Sequence, residues 1–111
     1  MRRAGLIVAV VAVAATAVVP AFAATKRVTV GDNYFVRSGG VPTVTVKRGT
    51  RVTWIWRGTA AHNVTATKGP KKFASKTQTS GRYTATPHTR GTYTIVCTLH
   101  LPGMRMRLVV K

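Results

Sequence analysis

Near the C-terminus, the run Cys97-Thr98-Leu99-His100-Leu101-Pro102-Gly103-Met104 gathers the chain's only cysteine, a histidine and a methionine into one short loop. His62-Asn63-Val64 offers a second imidazole from a distant part of the chain. One thiolate, two imidazoles and a thioether form a donor set with a definite preference. Soft sulfur donors select copper over hard cations, and imidazole suits copper as well. A thiolate ligand must also lose its proton, which a bound cation makes possible at neutral pH. Cys97-x-x-His100 alone is equally compatible with zinc. Met104, four residues further on, favours copper because thioether is not among zinc's usual ligands.

Each of these residues has a plainer reading on its own. His62 could be a core histidine hydrogen-bonded within a sheet, and His100 an ordinary loop histidine. Cys97 cannot form an internal disulfide, so it is buried and inert, paired between chains, or a metal ligand. His88, in Thr86-Pro87-His88-Thr89-Arg90, reads as solvated. Met104 and Met106 compete for the thioether position, since strand alternation puts both on one face. Met104 directly follows the Pro102-Gly103 turn and stays in the loop, whereas Met106 reads as core filler. The axial donor is therefore assigned to Met104, with Met106 as the alternative.

The elements that must position these side chains read as strands. The chain after residue 23 is rich in Val and Thr, is broken by Gly, and shows no sustained helical period, so the domain is all-β. Strands are predicted over 27–30, 43–47, 51–57, 62–67, 81–85, 91–97 and 105–111, and Tyr34-Phe35 is expected to fold back on the first. Alternation turns Val28 and Val30, Val44 and Val46, and Val52, Trp54 and Trp56 inward. The stretch 68–80 is polar, basic and irregular, with Phe73 as its one anchor. Seven or eight short strands at this spacing predict an antiparallel β-sandwich. His62 shares a face with Val64, and Cys97 shares one with Tyr93 and Ile95. Both donors thus point toward the core at one end of the sandwich.

Residues 1–23 read as a secretory signal peptide. Met1-Arg2-Arg3 gives a positive start, Leu6 to Val19 is apolar apart from Thr16, and Ala21-Phe22-Ala23 is a cleavage site. The apolar stretch is short for a span of about 20 residues, but an uncleaved anchor is the competing reading. Export to the periplasm, cell envelope or exterior follows. Eighteen Lys and Arg oppose a single acid, Asp32, for a net charge of +17. Without Arg2 and Arg3, the remaining domain carries +15. Such a field attracts anionic partners in a salt-dependent way. Export argues against nucleic acid and toward an acidic redox protein, an anionic membrane or a cell-wall surface.

Gly49-Thr50-Arg51-Val52-Thr53-Trp54, His62-Asn63-Val64, Phe73-Ala74-Ser75, Gly91-Thr92-Tyr93 and Cys97-x-x-His100-x-x-x-Met104 resemble the plastocyanin/amicyanin-type cupredoxins, the blue copper proteins. The motifs occur in that family's order and cover nearly all of residues 24–111. The resemblance implies a Greek-key β-sandwich holding one mononuclear copper through His62, Cys97, His100 and Met104. It also implies that Asn63 ties the two ligand loops together and that His100 presents a ring edge to solvent. Leu99, Leu101, Pro102 and Gly103 would surround that edge as an apolar docking surface for an acidic cytochrome or oxidase.

Three functions fit these expectations. The first is an exported one-electron carrier cycling between Cu(I) and Cu(II). The second is an envelope protein for copper storage, delivery or sensing. The third is a basic polyanion-binding domain whose metal site is incidental. An enzyme is not expected. The copper oxidases and nitrite reductases of this fold need several more histidines than the three present, and one acidic residue leaves no carboxylate pair for acid–base work.

Overall fold

A computed structural model of the protein describes residues 24–111, so the signal-peptide reading of residues 1–23 lies outside the described residues. Eight strands follow in order: β1 (Thr25–Gly31), β2 (Tyr34–Phe35), β3 (Thr43–Val46), β4 (Arg51–Trp56), β5 (Thr65–Lys68), β6 (Arg82–Ala85), β7 (Gly91–Val96) and β8 (Arg105–Val110). They form two four-stranded sheets, ordered β2-β1-β4-β6 and β3-β8-β7-β5. The all-β sandwich is as expected, but its sheets are mixed. β1 pairs with β4 in parallel, and so does β3 with β8, while the other pairings are antiparallel. Alternation reports which face a side chain takes and says nothing of strand direction, so the parallel pairs left no mark in the pattern.

The core lies between the sheets and follows the alternation closely. From one sheet come Val28, Val30, Val52, Trp54 and Trp56, all buried. The other contributes Val44, Val46, Tyr93, Ile95, Met106, Leu108 and Val110. On the opposite face of β4, Thr53 meets Thr84 of β6 in a 3.0 Å hydroxyl–hydroxyl hydrogen bond, the kind of cross-strand pair that supports a sheet away from the core.

One expected strand is shorter than its pattern. β5 begins at Thr65, and His62 lies before it in an isolated bridge to Gln78. His62 and Gln78 exchange both backbone hydrogen bonds at 3.0 Å, Ser75 N–H donates to Val64 O, and Ala66 N–H donates to Phe73 O. The irregular basic stretch thus lies alongside residues 62–66 and satisfies backbone groups that a buried segment cannot leave unpaired. Phe73 anchors it as expected, 6.0 Å between ring centroids from both Trp54 and Tyr93.

The registers bring the ends of several strands to one pole. Val30 aligns with Trp56, so the turn after β1 lies beside the loop after β4. Val96 opposes both Thr65 and Arg105, so the segment entering β5 and the loop between β7 and β8 meet there too.

Candidate metal centre

At that pole, His62, Cys97 and His100 converge. Their donor atoms all lie within 4.8 Å of one another, although His62 and Cys97 are 35 residues apart. His62 and Cys97 are fully buried, and His100 is half-buried. The two imidazole centroids are 4.8 Å apart, and His62 Nδ1 lies 3.9 Å from Cys97 Sγ. Cys97 follows the last residue of β7 and keeps the inward parity of Tyr93 and Ile95. The loop then closes on itself. His100 N–H donates to Cys97 O, Met104 N–H to His100 O, and Cys97 N–H to Met104 O, at 3.1 to 3.2 Å. Arg105 adds a bond from Nε–H to Pro102 O at 2.9 Å.

Hydrogen bonding selects the free nitrogen on each ring. His100 Nε2 faces Ala61 O at 3.3 Å, and His62 Nε2 faces Asp32 Oδ1 at 3.0 Å. A carbonyl oxygen and an ionised carboxylate only accept, so both Nε2 atoms carry hydrogen, and in the neutral imidazole form Nδ1 is the atom with the lone pair. The sulfur is also supported, because Asn63 N–H points at Cys97 Sγ across 3.5 Å.

Asn63 lies between the segment that carries His62 and the segment that carries Cys97. Its Oδ1 accepts from Thr98 N–H (3.1 Å) and from the Thr65 hydroxyl (2.8 Å). Its Nδ2 donates to Thr98 Oγ1 (2.8 Å) and to Thr77 Oγ1 (3.1 Å). Met104 is 1% exposed and Met106 is fully buried. They differ in what holds them: Met104 belongs to the hydrogen-bonded loop, and Met106 lies in β8 opposite Ile95. His88 is exposed and remote from the group.

Asp32 is the residue that sequence reasoning missed. It reads locally as part of the Gly31-Asp32-Asn33 turn, yet its carboxylate reaches the loop after β4. Besides His62, it accepts from the amides of Thr59 (3.1 Å) and Ala60 (3.0 Å) and from the Thr59 hydroxyl (3.3 Å). These donors, the His62 imidazole first and then the two amides, hold its carboxyl well below the usual carboxylate range. A lone acid among eighteen cations was the available signal.

Two nitrogens and a sulfur, mostly shielded from water and within 4.8 Å of one another, fit copper by their chemistry. The cation would stabilise the thiolate where burial alone would disfavour it. Fold and donors together define a cupredoxin, the blue copper class of electron carriers, with copper as its cofactor. The sequence comparison agrees: residues 25–111 match the copper-binding proteins of the plastocyanin/azurin family, and the chain belongs to that family.

Among solved structures it is similar to amicyanin. The Cu(I) form of a methionine-to-alanine mutant of amicyanin shares 32% identity at a TM-score of 0.64, over 87% of this chain and 90% of that one. Amicyanin from Paracoccus versutus (Thiobacillus versutus) shares 32% identity at 0.64, over 87% and 89%. The Cu(I) form of a methionine-to-glutamine mutant shares 28% at 0.66, over 78% and 82%. Among curated proteins, none matches the chain.

Proposed function

We propose that the protein is an exported one-electron carrier that holds a single copper through His62 Nδ1, Cys97 Sγ, the free Nδ1 of His100 and, as a weak axial donor, Met104. When bound, copper supplies a one-electron Cu(II)/Cu(I) couple. The observation that carries this reading is the convergence of three donors, with packing and hydrogen bonds holding the residues that bear them. Side chains locked by packing and hydrogen bonds keep one geometry through a change of oxidation state, so little rearrangement accompanies electron transfer. Burial of His62 and Cys97 also keeps water from two of the donors.

Export rests on the charged start, the apolar stretch and the Ala21-Phe22-Ala23 site of residues 1–23. Docking is assigned to the patch around half-buried His100. Leu99 and Leu101 are 52% and 54% exposed there, with Pro102 and Gly103 beside them. Exposed large apolar side chains clustered at one point suit a transient partner interface. The basic surface favours an acidic one.

Adding Cu(II) to the purified protein and recording visible and EPR spectra tests the reading. An intense blue thiolate-to-copper band with narrow hyperfine splitting is expected, and it should vanish in Cys97→Ala. A colourless wild type would refute it. Rapid electron self-exchange without loss of metal supports the carrier. Slow exchange with ready surrender of copper to a recipient would instead make the protein a delivery or storage factor.

A further inference from the structure

The chain's only acidic side chain is placed against a ligand ring and, among the described residues, not against any Lys or Arg. Among the described residues, the one basic side chain against it is His62, whose Nε2 lies 3.0 Å from Asp32 Oδ1. We infer that Asp32 is a positioning residue for the metal centre: it fixes His62 as the Nε2–H tautomer, aims Nδ1 at Cys97 Sγ and biases the site toward the oxidised metal. The inference rests on the copper reading above.

Three observations carry it. The first is the donor–acceptor logic, since a carboxylate oxygen that only accepts leaves His62 no choice of tautomer. The second is the contrast between the two rings. His100 Nε2 meets a neutral carbonyl at 3.3 Å, whereas His62 Nε2 meets a negative charge at 3.0 Å. A charged partner makes the imidazole a stronger donor to a metal, as carboxylate–histidine–metal arrangements do. It also places negative charge nearer the higher oxidation state, which that state prefers. The third is that the surroundings are shaped for the carboxylate. Thr59 and Ala60 turn their amides to it, and Gly58 leaves it room, because a Cβ at Gly58 would run into Asp32 Oδ1.

The competing role is a purely mechanical one, with Asp32 clasping the loop after β4. Asp32→Asn separates the two, since the amide oxygen can still accept from the ring and the backbone while the charge is gone. In the metal-free wild type, imidazole nitrogen NMR should show His62 as one tautomer, protonated at Nε2. In copper-loaded Asp32→Asn, the blue band should persist while the Cu(II)/Cu(I) equilibrium moves severalfold toward Cu(I); each tenfold is about 59 mV for one electron. Asp32→Ala should mix the His62 tautomers and weaken Cu(II) binding about 10- to 100-fold. Gly58→Ala should push in the same direction without altering any charged residue, so the idea stays testable if Asp32→Ala fails to fold.

If the wild type turns blue but the potential is unchanged in Asp32→Asn and the tautomer is unchanged in Asp32→Ala and Gly58→Ala, Asp32 only clasps the loop and the inference is wrong. A wild type that never turns blue overturns the copper reading, and the tuning role with it.

Discussion

Asn63 uses both halves of its amide to join three segments of chain at 5% exposure. Truncating it strands the Thr98 amide and three threonine hydroxyls at the edge of the core. Thr77 and Thr98 are exposed and can turn to water, so the loss is that of the bonds themselves, and Asn63→Ala should lower the stability of the metal-free protein by about 2–4 kcal/mol. Denaturant midpoints would measure this, and copper should dissociate faster from the same variant. The two methionines separate by a different experiment. Met106→Leu is a volume-conserving core change, expected to cost less than about 1.5 kcal/mol. It should leave the copper spectrum as it was. Met104→Leu, in the closed loop, should change the visible and EPR spectra; the reverse pattern would transfer the axial role to Met106. At this scale the sequence was most readable where residue types are scarce. One cysteine with a histidine three positions on leaves few explanations. Asp32 was unreadable for the opposite reason: a Gly-Asp-Asn turn already accounts for an aspartate, and its ligand partner lies thirty residues away.

At the level of elements, alternation located the strands and their inward faces, because a sandwich buries one face of each sheet. Tyr93, Ile95 and Cys97 share a face in the sequence pattern and are all fully buried. The limits of that reading appear at His62. Inward parity suggested a strand from residue 62, but parity persists through an irregular segment as long as some partner holds its backbone. Gln78, Ser75 and Phe73 supply that partner, from a stretch whose lysines and small polar residues carry no strand signal. Phe73 gives this stretch its grip, with ring centroids 6.0 Å from Trp54 and 6.3 Å from Tyr83. Phe73→Ala should therefore do more than remove a half-buried ring. Full truncation of a core phenylalanine costs about 3–5 kcal/mol, and the partial exposure here places the loss toward or below the lower figure. Freed of its anchor, the stretch should open locally ahead of the sheets. Trypsin would then cut after Lys71 and Lys72 faster than in the wild type at equal global stability, and unchanged cleavage would show that the backbone bridges alone hold the segment.

For the whole molecule, the charge distribution is nearly of one sign. The only acidic side chain, Asp32, sets one negative charge against eighteen Lys and Arg, so the field stays strongly positive. The metal centre adds a contrast at one pole, where Leu99, Leu101 and Pro102 form an exposed apolar patch around His100. In the proposed carrier, long-range attraction and short-range contact fall to different parts of the surface. They respond to different perturbations. The Debye length is about 30 Å at 0.01 M salt and about 3 Å at 1 M, so attraction should govern the encounter at low salt and be lost at high salt. Association with an acidic redox partner, followed by stopped-flow reduction of the blue band, should slow at least tenfold over that range. Leu101→Ala should weaken productive docking by a similar factor at every salt concentration, because apolar contact is not screened. A rate that stays flat with salt yet falls in Leu101→Ala would mean that the partner is neutral and the basic surface serves some other anion. A steep salt dependence with no effect at Leu101 would place the contact on the cationic flanks, away from the loop that carries half-buried His100.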